Sequence, residues 1–211
     1  MKITLVSDNP GSWIHPYVAE LARLLRADGH DVSVVGDSKG IPTGGITFLL
    51  ACERIISEET LGRSLHNLVI HESALPKGRG WSPMTWQILE GKNEIPITLF
   101  EAEVEVDSGA IYFQDVMKFK GHELVDELRK VQGEKTIELA RRFVREYPNV
   151  AGREQTGEVS HYERRRAEDS ELDSTKTLAE LFDQLRVVDN ERYPAYFRHR
   201  GHVYTIKITK A

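Results

Sequence analysis

The order of apolar and polar positions divides the chain into strands and helices before any motif is considered. Residues 2–7, KITLVS, form a β-branched apolar run, and over 16–27 Val18, Leu21, Leu24 and Leu25 recur at helical spacing until Gly29. Residues 30–37, HDVSVVGD, are a second strand. A β-α-β opening predicts a right-handed crossover and a parallel sheet. A third apolar run covers 46–50, a short polar helix runs from Glu58 to about Ser64, and LVIH at 68–71 is a fourth strand. SPMTWQILEGK, 82–92, reads as a helix with Pro83 in its first turn and Gly91 just past its end. Two further strands, 96–104 and 110–118, are joined by a turn at Asp107-Ser108-Gly109.

Over 121–147 the spacing of Leu124, Leu128, Val131, Ile137, Leu139, Ala140, Phe143 and Val144 predicts one long helix or two abutting ones, ended by Pro148. Residues 149–170 are polar and basic and read as a loop over the surface. The remainder gives a helix over 178–187 and a hairpin turning at Arg200-Gly201. The pattern as a whole predicts an α/β fold: a Rossmann-like, mostly parallel sheet over 1–148 and a small α+β extension over 149–211.

Composition narrows the function classes. With 40% hydrophobic and 29% charged residues in 211, the chain is long enough for one α/β domain with a core, or for such a domain with a small appendage. A net charge of −5 does not draw polyanions to the surface as a whole, so neither a nucleic acid nor a membrane is expected as a partner. The single Cys52, with no Cys/His cluster near it, excludes an internal disulfide and argues against a metal site. The five-residue apolar run before Asp8 is too short for a signal peptide, so the expected location is cytoplasmic. DNPGSW, after the first strand, lacks the spaced glycines of a dinucleotide loop, which leaves a nicotinamide or flavin unsupported.

The chemistry concentrates around VIHESALPKGRGWSP, 69–83. A histidine ends an apolar strand and a loop of two prolines, two glycines and a tryptophan follows. In an open parallel sheet, ligands bind beyond the carboxyl ends of the strands, where His71 is expected to sit. Taken alone, His71 is a core histidine and Asp107 a turn residue; the pairing of the two is what points to catalysis.

The stretch IHESALPKGRGWSPMTWQILEGKNEIPITLFEAEVEVDSGAIYF resembles the core of the 10-formyltetrahydrofolate-dependent formyltransferases. That pattern runs His-x-Ser-x-x-Pro, a Gly-rich segment, a helix with I-x-x-G, and a V-D-x-G-x-I turn, and all four parts are present in order. Downstream, YERRRAEDSELD and LFDQLRVVDNERYPAYF are similar to the stretch that follows the core in enzymes acting on sugar nucleotides and on methionyl-tRNA. KGRGWSP and LEGKNEIPITLFEA look most like the class that formylates 4-amino sugar nucleotides, including the formyltransferase of pseudaminic acid synthesis.

The resemblance implies a formyltransferase fold, 10-formyltetrahydrofolate as formyl donor without a metal, and a nucleotide-linked amino sugar as acceptor, with a UDP-linked 4-amino-4,6-dideoxy sugar expected. It also implies a homodimer. His71 is implied as donor or general acid/base, since a histidine titrates near neutral pH, and Asp107 as the group that orients it or takes the amine proton through water. Cys52, Arg54 and Ile55 in LACERII, with Val106 and Asp107 in the turn that closes over the folate head, are the implied donor-binding residues. Ser73, Lys77, Arg79, Gly80 and Trp81 of the loop after His71 are implied to face the acceptor. Tyr162, Arg164, Arg165, Arg186 and Tyr193 offer charge and stacking surface for a nucleotide diphosphate.

The family usually reads Asn-x-His, and here the position two before His71 is Val69. Asn67 shares that strand face but lies roughly 13 Å away along the strand. Two other acceptors fit less well. A methionyl-tRNA enzyme is expected to carry a further basic C-terminal domain, and glycinamide ribonucleotide calls for a Gly-rich phosphate loop after the first strand. An inactive folate-binding relative that has lost its asparagine is the reading from a different class.

Overall fold

The computed structural model describes residues 1–211. A six-stranded sheet carries the fold: β1 (Lys2–Val6), β2 (Asp31–Val35), β3 (Ile46–Leu49), β4 (His66–His71), β6 (Glu94–Glu101) and β7 (Ile111–Lys118), in spatial order β2-β1-β3-β4-β6-β7. The first four in sequence run parallel; β6 runs against both β4 and β7. This is the Rossmann-like, mostly parallel sheet that the β-α-β opening predicts. The chain reverses its winding at β1, which has β2 on one side and β3 on the other, and ligands of open α/β sheets bind beyond the strand ends at such a point.

Helices cover both faces. Helix α1 (His15–Ala27) buries Val18, Leu21, Ala22 and Leu25, spaced as the sequence pattern requires, against Ile3, Leu5 and Val32. The 22-residue helix α4 (Val125–Glu146) is continuous and presents Leu128, Leu139, Ala140, Phe143 and Val144 to the same core. Helix α3 (Pro83–Leu89) begins at Pro83, and Gly91 follows its end with φ +83°, a value only glycine adopts freely. The remaining short helix of this part is α2 (Glu58–Leu61), capped by Ser57. No helix is long and apolar enough to cross a membrane.

Beyond α4 the chain folds less regularly. Residues 149–170 contain one short strand, β8 (His161–Tyr162), which pairs in parallel with β5 (Arg79–Gly80) on the loop after His71. The helix expected over 178–187 is only α5 (Phe182–Arg186). Thr177 and Glu180 form a reciprocal capping box, and the Leu181 N–H donates to the Thr177 carbonyl, so 178–181 is a first turn, closed partly by a tighter Phe182-to-Ala179 bond, that leads into α5. The hairpin of β9 (Ala195–His199) and β10 (His202–Ile206) turns at Arg200-Gly201 as expected. Leu172, Leu181, Leu185, Val188 and Ala195 form a small apolar cluster of their own beneath it.

Candidate active site

Strand β4 delivers His71 at the carboxyl edge of the sheet. Its ring is 7% exposed and stands edge-on to Phe100, with centroids 6.4 Å apart. Nε2 lies 2.8 Å from the Gly78 carbonyl oxygen. A carbonyl only accepts, so Nε2 carries a proton and, in the neutral ring, Nδ1 is the open lone pair. Asp107 Oδ2 is 3.8 Å from the same nitrogen, close enough to balance an imidazolium charge.

The turn that carries Asp107 is built for that approach. Asp107 has φ +57°, its Oδ2 accepts the Gly80 N–H at 2.8 Å, and Gln155 Nε2 donates to the carbonyls of both Asp107 and Gly109. A Cβ on Gly109 would stand 2.0 Å from the Glu101 carbonyl oxygen. Gly109→Ala must therefore push the turn off the edge of β6. We expect it to cost about 1–3 kcal/mol of stability in a thermal melt and to displace Asp107; an unchanged melting temperature would show that the turn yields freely.

Two cavities meet at this point. The larger, about 410 Å³, lies between the loop 50–56 and the turn 102–107, with His71 and Asp107 at its end. Cys52, Arg54, Ile55 and Val106, expected there, line it with Leu50, Ile56, Val69 and Phe100. Burial pushes the Cys52 thiol up to about 12, so the group is a neutral packing element and not a nucleophile. Asp8 at the end of β1 shapes this loop by accepting the N–H groups of Glu53 and Arg54 at 2.8 and 2.9 Å. The sequence signal for Asp8 is topological: an aspartate closing the first strand of a β-α-β unit stands at the ligand edge of the sheet.

The second cavity, about 230 Å³, opens between α3, α4 and the C-terminal segment. Arg129, Arg164, Arg165, Arg166 and Arg192 line it, against the acids Glu53, Glu72 and Asp189. Arg129 is paired with Asp189 at 2.9 Å, and Arg164 sits 4.5 Å over the Trp81 ring and 3.4 Å from Glu53. Arg165 differs from these two: no carboxylate lies within ion-pair distance, one terminal nitrogen makes long bonds of 3.4 Å to the Asp169 carbonyl and the Ser170 hydroxyl, its Nε has no partner, and burial pulls its pKa down against the opposing charge of Asp169. Trp13, Glu53, Glu72, Trp81, Ser82, Gln132 and Arg192 border both cavities and form the wall between them.

Of the residues expected to face an acceptor, Gly80, Trp81, Arg164, Arg165 and Tyr193 line the cavities, whereas Ser73, Lys77, Arg79, Tyr162 and Arg186 line neither. Ser73 is turned inward at 2% exposure, its carbonyl held by the Thr98 hydroxyl. Lys77 points to solvent near Glu158. Arg79 braces the Asp107 turn through Glu105 at 2.7 Å and Gln155 at 3.0 Å. Tyr162 packs beside Gly78 and donates to Glu90, which with burial raises its phenol to about 12. Arg186 is fully buried among Asp183, Asn93 and Glu123. Glu72 and Gln132, neither singled out by the sequence reading, stand in the shared wall with Gln132 Nε2 donating to Glu72 Oε1 at 2.6 Å. The sequence signal for Gln132 is its place midway between Leu128 and Thr136 on the inward stripe of α4, where a polar residue is out of pattern.

Residues 45–140 match the family model described as formyl transferase. This stretch is similar to the formyl transferase domain that the family model describes. It spans β3 to most of α4 and so contains His71, Asp107, Glu72 and Gln132. Among curated proteins, the methionyl-tRNA formyltransferase of Thermus thermophilus is 27% identical over 158 residues, 74% of this chain and 51% of its own length. The chain thus spans about half the length of the curated relatives it matches. Among solved structures, the methionyl-tRNA formyltransferase from Clostridium thermocellum superposes with a TM-score of 0.83 at 18% identity, covering 100% of this chain and 93% of that one. A 4-N formyltransferase from Francisella tularensis gives 0.72 at 19% identity, covering 100% and 98%. WlaRD, described as a sugar 3N-formyl transferase with dTDP and 5-N-formyl-THF, gives 0.69 at 19%, covering 89% and 78%. At these identities the structural likeness establishes the fold alone.

Proposed function

We propose that this chain transfers a formyl group from 10-formyltetrahydrofolate to the amine of a nucleotide-linked amino sugar. The observation that carries the reading is the position of His71 and Asp107 at the end of an apolar slot, beside a cavity lined by five arginines. The slot suits the donor: Leu50, Ile56, Val69 and Phe100 supply flat apolar walls for a heterocycle, and the main-chain carbonyls of 52–54 supply polar edges, the N–H groups of 53 and 54 being held by Asp8. 10-Formyltetrahydrofolate brings a formyl group on nitrogen, and the sugar formyltransferase WlaRD, of the same fold, was solved with a formylated folate and dTDP.

In this reading His71 takes up and gives a proton at Nδ1, the nitrogen left open by the bond from Nε2 to Gly78, and Asp107 steadies its charge. Val69 leaves no side-chain amide two residues before His71, and Asn67 does not replace one, because its Nδ2 is spent on the Leu61 carbonyl at 2.8 Å. The arginines of 164–166 with Tyr193 take the anionic part of the acceptor, so residues 149–211 serve the formyl transferase domain as its acceptor side. Arg165 is the strongest candidate for phosphate contact, being partly buried with an unpartnered Nε and no carboxylate within ion-pair distance.

The test is mass spectrometry of 10-formyltetrahydrofolate incubated with UDP-, dTDP- and GDP-linked amino sugars and with methionyl-tRNA, which the curated relatives make a second acceptor class. We expect one sugar to gain a single formyl mass. Arg165→Ala should raise KM for that sugar about 10–100-fold, the equivalent of one charge-assisted hydrogen bond of about 1.5–3 kcal/mol. Formylation of the tRNA with every sugar untouched would overturn the acceptor assignment while leaving formyl transfer standing.

A further inference from the structure

Resting on formyl transfer as the reaction, we propose that Glu72 is the group that receives the acceptor's ammonium and removes the proton that blocks its attack, with Gln132 as the positioning residue that aims the carboxylate. An aliphatic amine is protonated near neutral pH and has no lone pair to offer. Whatever the acceptor, the site must bind a cation and strip it, and the stripping group must stand where donor and acceptor meet.

Glu72 stands there. It borders both cavities, immediately after His71 in the chain. Its main chain is fixed from α3, where Gln87 Nε2 donates to the Glu72 carbonyl at 2.6 Å, and its side chain from α4, where Gln132 Nε2 donates to Oε1 at 2.6 Å. A glutamate held at its main-chain carbonyl and at one carboxylate oxygen loses little freedom on binding a cation. Outside its own main chain, Gln132 is the one residue that hydrogen-bonds the carboxylate, and no lysine or arginine lies within ion-pair distance, although Arg129 lines the adjoining cavity from α4. A carboxylate in the wall of a cavity, held by an amide and left without a cation, is chemically incomplete in a way that an ammonium group completes. Burial also raises its pKa, which His71 nearby and Gln132 only partly offset and Asp107 reinforces, so the group binds a proton more firmly than a surface glutamate.

The proton count closes. The bond formed joins the acceptor nitrogen to the formyl carbon, and the bond broken joins that carbon to the folate nitrogen. The ammonium gives up two protons: the first passes to Glu72 and then to water, and the second, through His71, replaces the formyl group on the departing nitrogen.

Two small acceptors separate this role from a structural one, and neither needs the nucleotide-binding arginines. Methylamine is cationic near neutral pH, whereas hydroxylamine is a weak base and attacks as the free nucleophile. We expect Glu72→Gln to lower the rate with methylamine relative to hydroxylamine by about 100-fold or more, the usual worth of a general base. Gln132→Leu should move the same ratio about five- to tenfold, and Glu72→Asp should restore part of the loss. Equal falls with both acceptors would mark Glu72 as structural and overturn the proposal, as would an unchanged ratio. If the unsubstituted protein formylates neither acceptor and binds no 5-formyltetrahydrofolate, formyl transfer itself is refuted, and Glu72's role falls with it.

Discussion

Replacing His71 by alanine is expected to lower kcat/KM for formyl transfer by about 100- to 10,000-fold, the span usual for a positioned acid/base group, while folate binding persists. The expectation follows from what the ring does and does not touch. It makes one hydrogen bond, to the Gly78 carbonyl, and one edge contact, to Phe100, and Asp107, 3.8 Å away, keeps the Gly80 N–H when the ring is removed, so the turn holds and only a modest void is left. The apolar walls of the slot come from other residues and stay in place. Asp107→Asn should fall nearly as far, since the amide still accepts the Gly80 N–H and preserves the turn but no longer balances an imidazolium 3.8 Å away. The two losses should not add when combined, because the groups act as one unit. Near-normal turnover in His71→Ala would return this residue to the plain reading of a core histidine; folate affinity measured on the same sample shows whether the slot survived.

How far this site could be read from the sequence depends on whether its contacts leave a periodic trace. The strands ending at Val6, Leu49 and His71 are apolar runs, and α1 and α4 are stripes at i, i+3 and i+4, so the sheet edge that presents His71 follows from burial alone. Pro83 and Gly91 bracket α3 because their φ angles allow little else. The pairing of Arg79-Gly80 with His161-Tyr162 leaves no such trace: it is made of main-chain bonds between segments some eighty residues apart, and any side chain that avoids a clash can join it. That pairing moves Arg79 and Tyr162 from the acceptor side into bracing roles. Glu72 escaped notice for the opposite reason, being overshadowed by the histidine beside it, and its partner Gln132 arrives from a helix 60 residues onward.

The same limit explains Arg186, whose charge and place in an arginine-rich stretch suggested a phosphate ligand. A guanidinium at 0% exposure cannot meet a ligand; it joins α5 to the connection between β7 and α4. Nε donates to Asp183 at 2.8 Å, one terminal nitrogen to Asn93 at 2.7 Å, and the other lies 3.6 Å from Glu123. Glu123 in turn gathers the N–H groups of Lys120, Gly121 and His122. Arg186→Ala leaves the Glu123 carboxylate, with a side chain 13% exposed, without its cation, and losing one partner of such a buried pair costs about 3–5 kcal/mol. For a chain of this size that corresponds to a fall of roughly 6–20 °C in melting temperature. Adding Glu123→Gln should recover part of it, since the remaining cost is then a cavity and no longer an uncompensated charge. At temperatures where the variant stays folded, KM for the acceptor should match the unsubstituted protein within a few-fold, in contrast to Arg165→Ala. A variant that melts normally but binds its acceptor poorly would show instead that α5 opens in solution and that Arg186 reaches the ligand after all.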